Sequence, residues 1–206
     1  MNLILIGRSF NILRVIAGSA RGMRLKTLKG ETTRPTRDIV KEALFNVISE
    51  DIKGKNILDM FSGSGSLGIE ALSRGANKAL FIDLRRESCN IVKQNLTHTR
   101  FLDKAVVRCM NALNKNALSN VLKHDIETKL NLVFLDPPYD KGMVGSALSI
   151  LLEVSALSDD VLIVAEHKSD EDIPCTVGKL SCVGRKKYGI TSVSFYKFRE
   201  DMMVDI

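Results

Sequence analysis

From Asn56 to His167 short apolar runs alternate with helical patterns, and that rhythm leaves few folds open to the chain. The runs are "NILDMF", "KALFID", "KAVVRC", "LNLVFLD" and "VLIVAEH", separated by helical spacings over 66–74, 85–98, 112–123 and 143–154. Strands that alternate with helices build a parallel sheet with right-handed crossovers. After His167 the rhythm changes: 179–187 and 191–198 both read as strands around a short "YGI" junction, which predicts a closing hairpin. The expected fold is α/β and Rossmann-like, a mostly parallel seven-stranded sheet with a C-terminal antiparallel hairpin.

The segment ahead of this body differs in charge. The first 41 residues hold nine bases and two acids, +7, against +6 for the whole chain, so the other 165 residues carry −1. Within it, 12–17 and 23–28 are apolar runs around Gly18, Ser19 and Gly22, the pattern of a small N-terminal β-hairpin with arginines at its turn. "TRPTRDIVKEALFNVIS" then sets Val40, Ala43, Leu44, Val47 and Ile48 on one helical stripe entered through Pro35 and Thr36. The expected division is residues 1–53 as a basic extension facing a polyanion and 54–206 as the main domain. An ordinary solvated basic face gives the same charge count. No apolar run nears the roughly 20 residues of a membrane span, and "LILI" is too short for a signal peptide. A soluble, cytoplasmic protein is expected. Four scattered cysteines and three distant histidines signal neither a disulfide framework nor a metal site.

The first strand ends at Phe61, and "SGSGSLG" then puts Gly63, Gly65 and Gly68 in G-x-G-x-x-G spacing. In a doubly wound sheet a nucleotide binds beyond the strand carboxyl ends, where the strand order reverses. Asp83 closes "FID" 20 residues after Gly63, the separation at which an acid accepts ribose hydroxyls. Two features weigh against a pyrophosphate. Asp59 stands just before the loop, where a carboxylate opposes phosphate charge and suits a cationic amino-acid end. A basic hairpin and helix precede the loop, whereas a dinucleotide fold usually opens with it.

The fourth strand ends in "DPPY", Asp136 to Tyr139. Pro137 and Pro138 remove two backbone donors, which leaves an acceptor-rich corner of the Asp136 carboxylate, the Pro137 carbonyl and the face of Tyr139. Such a corner accepts both hydrogens of an exocyclic amine while the base stacks on the tyrosine. Accepting them draws the nitrogen toward sp³ and aims its lone pair at an electrophile such as a methyl sulfonium, at an approach of roughly 3 to 3.5 Å. The plainer reading is a rigid strand-to-loop turn with a packed tyrosine.

On these stretches the sequence resembles the class I S-adenosylmethionine-dependent methyltransferases with a D-P-P-Y loop, and more narrowly the bacterial 16S rRNA guanine-N2 methyltransferase family (RsmD-like). The matching stretches are "RVIAGSARGMRL", "TRPTRDIVKEALFN", "LDMFSGSGSLGIEALSRGA", "FIDLRR", "VFLDPPY" and "RKKYGITSVSFYKF", from Arg14 to Phe198. The resemblance implies S-adenosylmethionine as cofactor. Asp59 and the Gly63 to Gly65 loop would hold its methionine part, Asp83 its ribose, and Asn111 with Ala112 its adenine, with Phe61, Ser62 and Leu84 beside them. Many class I enzymes carry an acid where this chain has Asn111, whose amide oxygen can still pair with the adenine amino group. Asp136, Pro137, Pro138 and Tyr139 would form the catalytic loop that receives the guanine, and Thr36 would close over the cofactor side together with Arg34 and Pro35. Arg21, Arg24, Lys26 and Arg34 would contact phosphates of the 16S ribosomal RNA or small ribosomal subunit around a flipped base. Arg185, Lys186 and Lys187 read as protection of an edge strand. No metal and a monomeric state are implied, and residues 1–11 precede the family's usual start.

Adenine-N6 methylation of DNA or RNA suits D-P-P-Y equally well. A dinucleotide-dependent oxidoreductase suits the glycine spacing and Asp83 but finds no acid or base for hydride transfer. A catalytically silent RNA-binding module accounts for the basic segment alone.

Overall fold

The structure is a computed structural model that describes residues 13–28, 35–49, 52–126, 129–139 and 141–199, with 35–38 as backbone only. In chain order its elements are α1 (Pro35–Val47), β1 (Asn56–Met60), α2 (Ser66–Ser73), β2 (Lys78–Asp83), α3 (Arg86–Thr99), β3 (Ala105–Cys109), α4 (Lys115–Asp125), β4 (Leu130–Leu135), α5 (Met143–Glu153), β5 (Leu157–Lys168), β6 (Thr176–Val177), β7 (Leu180–Tyr188) and β8 (Thr191–Phe198). The strands form one sheet in the order β3-β2-β1-β4-β5-β8-β7-β6. From β3 to β5 the pairing is parallel; β8, β7 and β6 continue it antiparallel. The seven expected strands are all present. The two-residue β6 adds an eighth at the edge, too short to leave an apolar pattern.

β1 is buried at every position, as a central parallel strand covered by helices on both faces must be. Side chains alternate between those faces. Ile57 joins Phe45, Leu72 and Val92 under α1, α2 and α3, whereas Leu58 and Met60 join Leu118 and Leu148 under α4 and α5. Asp59 shares the face of Ile57, so its carboxylate lies beneath α2 and accepts the Gly68 N–H at 2.9 Å. Phe45 and Phe134 pack at 5.6 Å between ring centroids.

The helix foreseen over 112–123 begins later, at Lys115. Asn114 caps it by accepting the Ala117 N–H at 3.1 Å, and Asn111 turns the preceding loop by accepting the Leu113 N–H at 3.0 Å. Both asparagines compete with the helix for backbone donors, which keeps Asn111 and Ala112 in a loop.

The N-terminal hairpin is short. Arg14 and Arg24 form one bridge, flanked by bonds from Val15 N–H to the Met23 carbonyl (3.0 Å) and from Leu25 N–H to the Leu13 carbonyl (2.8 Å). Several donors of its turn go to α2 instead. Ile16 and Ala17 N–H reach the Glu70 carboxylate at 2.7 and 3.0 Å, and Ala20 N–H reaches Ser73 Oγ at 3.0 Å. Glu70 is fully buried and also accepts from Arg74 Nε at 2.8 Å, with Lys41 Nζ at 3.7 Å. Gly18 permits this docking: a Cβ there would stand 1.8 Å from the Ser73 carbonyl oxygen, at a φ of +82°. Leu13, Val15 and Leu25 share the core of α1 and α2.

Candidate active site

The strand order reverses between β1 and β4, and the crevice outside such a reversal is where open α/β sheets hold ligands. A cavity of about 630 Å³ lies there, walled by the loops after β1, β2, β3 and β4 and by residues of α1. It brings together Asp59, Phe61, Ser62, Gly63, Asp83, Leu84, Asn111, Ala112 and the whole of Asp136 to Tyr139.

The loop after β1 is held in an uncommon backbone. Phe61, a non-glycine residue, has φ 74°, a conformation that persists only where surrounding bonds over-determine it. Here both the Phe61 and Ser62 N–H groups donate to the Ile82 carbonyl, at 3.0 and 2.9 Å. Gly63 N–H donates to Asp83 Oδ2 at 2.9 Å, and Gly65, absent from the cavity wall, donates to the Ser62 carbonyl at 2.6 Å. Gly68 lets α2 sit against the sheet, since a Cβ would come within 2.3 Å of the Phe81 ring.

Two groups on this wall fit a ligand with polar and cationic parts. Burial pushes the Asp59 carboxyl up to about 7, the charge of Asp83 adds to the rise, and the Gly68 N–H only partly offsets it. A cation placed there would restore the carboxylate. The Ser62 hydroxyl is buried with no hydrogen-bond partner among the described residues, which marks a place for a ligand polar atom. Asp83 keeps room for further donors, since a carboxylate offers about four lone-pair sites and the Gly63 and Arg85 N–H groups take two. Leu84 beside it is 68% exposed, an apolar side chain on the open rim.

Across the cavity, Asp136 and the two prolines follow β4. The Tyr139 hydroxyl donates to Glu166 Oε1 at 2.8 Å and lies 3.2 Å from Thr191 Oγ1. Burial pushes its phenol above its ordinary range, with the Glu166 charge acting in the same direction. The tyrosine is therefore a neutral ring clamped at its hydroxyl. Glu166 and Lys41, which also line the cavity, were not among the residues singled out from sequence. Glu166 had one visible signal, as the only acid in the apolar run "VLIVAEH".

Of the basic residues, Arg21, Arg24 and Lys26 are exposed and stand outside the cavity wall, which the same segment reaches through Leu13 and Thr27. Lys26 is tied down by its backbone, with N–H to Asn95 Oδ1 at 2.8 Å and its carbonyl accepting from Asn95 Nδ2 at 3.0 Å. Thr36 lies in the first turn of α1, described as backbone only, while Val40, Lys41 and Leu44 of the same helix line the cavity. Arg34 and residues 1–11 lie outside the described residues. Among the described residues no group of three His, Cys, Asp or Glu side chains could hold a metal ion, and no helix is long and apolar enough to cross a membrane.

The family described as "Conserved hypothetical protein 95" matches residues 13–197. The chain is 41% identical to the putative rRNA methyltransferase YlbH of Bacillus subtilis over 187 residues, 91% of this chain and 100% of that protein. It is 32% identical to the ribosomal RNA small subunit methyltransferase D of Escherichia coli over 185 residues, covering 90% of this chain and 89% of that one. A solved structure described as the putative methyltransferase yhhF from Escherichia coli superposes with a TM-score of 0.76 at 30% identity, covering 91% of this chain and 98% of that chain. With a match that spans almost all of its length and relatives above 30% identity across it, the protein belongs to the conserved hypothetical protein 95 family, the RsmD-like family that its sequence resembles.

Proposed function

We propose that the protein transfers a methyl group from S-adenosylmethionine to the exocyclic N2 of a guanosine in small-subunit (16S) ribosomal RNA. The observation that carries this reading is one cavity joining Asp59, the glycine loop and Asp83 on one side to Asp136, Pro137, Pro138 and Tyr139 on the other. The naming of relatives as ribosomal RNA methyltransferases supports the same substrate class.

The residues present suit the cofactor. Asp59 would hold its ammonium, Asp83 its ribose hydroxyls, and Asn111 with Ala112 the adenine edge. Once bound, S-adenosylmethionine supplies a methyl group carried on a sulfonium. Asp136 and the Pro137 carbonyl hold the two amine hydrogens and orient the nitrogen lone pair, which is where orientation lowers the barrier. The clamped ring of Tyr139 stacks on the base. The proton lost by nitrogen would pass to the Asp136 carboxylate as the methyl–sulfur bond gives way to the new N–C bond and S-adenosylhomocysteine is left. Residues 1–53 would face the RNA, with Arg21, Arg24 and Lys26 on phosphates, while 54–206 hold the cofactor and the base.

Calorimetry with S-adenosylhomocysteine and with NAD separates this reading from an oxidoreductase; tight NAD binding alone would sink it. Mapping N2-methylguanosine in 16S ribosomal RNA from cells with and without the protein then identifies the nucleotide.

A further inference from the structure

Building on the guanine-N2 reading, we propose that Glu166 reads the target base, its carboxylate accepting the guanine N1–H while Asp136 and the Pro137 carbonyl take the hydrogens of N2. The β4–β5 register ends with Leu135 opposite Ala165. Continued one residue past the end of β4, that register sets Asp136 next to Glu166 of β5, on the same face by alternation. Both line the cavity, together with Tyr139.

The bond from the Tyr139 hydroxyl to Glu166 Oε1, 2.8 Å long, fixes the carboxylate against the edge of the ring on which the base stacks. That bond does not exhaust it, since a carboxylate accepts about four hydrogen bonds. Guanine presents N1–H and N2–H₂ next to each other on its Watson–Crick edge, three hydrogens facing a row of acceptors. Adenine presents a bare N1 at the corresponding place, and its lone pair would face a carboxylate. A site built to accept an N–H rejects an analogue that lacks it by about 10⁴-fold or more. Glu166 is thus the residue that tells the two amino-purines apart, a task that Asp136 to Tyr139 cannot perform because both bases carry an amine.

The test uses 16S RNA ligated to carry guanosine, or 2-aminopurine ribonucleoside, at the mapped nucleotide. 2-Aminopurine keeps the amine but has a bare N1. Wild-type protein is expected to prefer guanosine by about 100-fold or more in kcat/KM. Glu166→Gln keeps an acceptor for Tyr139 and offers N1 an N–H₂, so the preference should narrow about tenfold or more, with S-adenosylhomocysteine affinity within about twofold of wild type. Loss of Tyr139 support alone would slow both RNAs equally and leave the ratio unmoved. An unchanged ratio in Glu166→Gln, or a wild-type protein that methylates both RNAs equally well, overturns the assignment of Glu166 and leaves the guanine reading intact. A wild-type product without N2-methylguanosine overturns that reading and the assignment with it.

Discussion

The Gly63 N–H donates to Asp83 Oδ2 at 2.9 Å and so fastens the glycine loop to the acid that closes the neighbouring strand. The other carboxylate oxygen accepts the Arg85 N–H at 2.8 Å. Asp83→Asn sets an amide N–H₂ against one of these donors, and the loop loses a charge-assisted bond. S-adenosylhomocysteine affinity is expected to fall about 10- to 100-fold by calorimetry. Unchanged affinity would remove Asp83 from the cofactor site.

In the proposed mechanism Asp136 faces the amine; it follows β4, whereas the glycine loop follows β1. Asp136→Ala should abolish methyl transfer while S-adenosylhomocysteine binds within about tenfold of wild type. Retained transfer in this variant would contradict the assigned mechanism.

Burial holds the Asp59 carboxyl at about 7 in the folded protein, above its ordinary 3.8. A raised folded value means that its contribution to stability is fully present below pH 3.8 and is lost as pH rises through about 7. The ligand-free Asp59→Asn variant should therefore show a flatter dependence of Tm on pH across that window than the wild type. A cationic ammonium favours the ionised carboxyl, so wild-type affinity for S-adenosylhomocysteine should rise toward pH 7, with a proton released on binding below it. Calorimetry in buffers of different ionisation enthalpy measures that proton; no release would assign the ammonium to another group.

Glu70 binds two backbone donors and two cationic side chains while fully buried. Glu70→Ala takes the carboxylate from two backbone donors and two cationic side chains and should cost about 3 to 5 kcal/mol in urea unfolding. Gly18→Ala acts more locally, through its clash with Ser73. Hydrogen exchange at the Ile16 and Ala17 amides should accelerate in that variant, while the β1 and β4 amides stay protected.

Arg21 and Arg24 are exposed on the segment that borders the cavity. Replacing both with Ala should weaken RNA binding and reduce the slope of log K against log salt by about 0.7 to 0.9 for each phosphate no longer neutralised. An unchanged slope would give the patch another role.

The parallel sheet was legible because its central strands are buried on both faces and read as near-continuous apolar runs. Asp59, Asp83 and Asp136 to Tyr139 were legible for a related reason: polar residues at the ends of such runs fall at the strand carboxyl edge, where β1, β2 and β4 converge on the cavity. Glu166 escaped because its bond from the Tyr139 hydroxyl joins residues on separate elements, and sequence spacing carries no cross-strand distance. Glu70 and Asn95 escaped for the same cause. Each binds backbone 53 to 69 residues away, and although Glu70 lies in a stretch that carries the resemblance, its spacing names no such partner.

The clamp on the N-terminal segment also sets an order of events during synthesis. Arg21, Arg24 and Lys26 are made early, yet Ile16 finds its partner 54 residues later at Glu70, and Lys26 finds Asn95 69 residues later. Pairings so distant in sequence form only after the intervening chain is ordered. The basic segment is thus translated before the residues that seat it, and a nascent chain halted before Asn95 would lack the Lys26 anchor. Its turn comes into register only once the helix that follows the glycine loop exists to receive it.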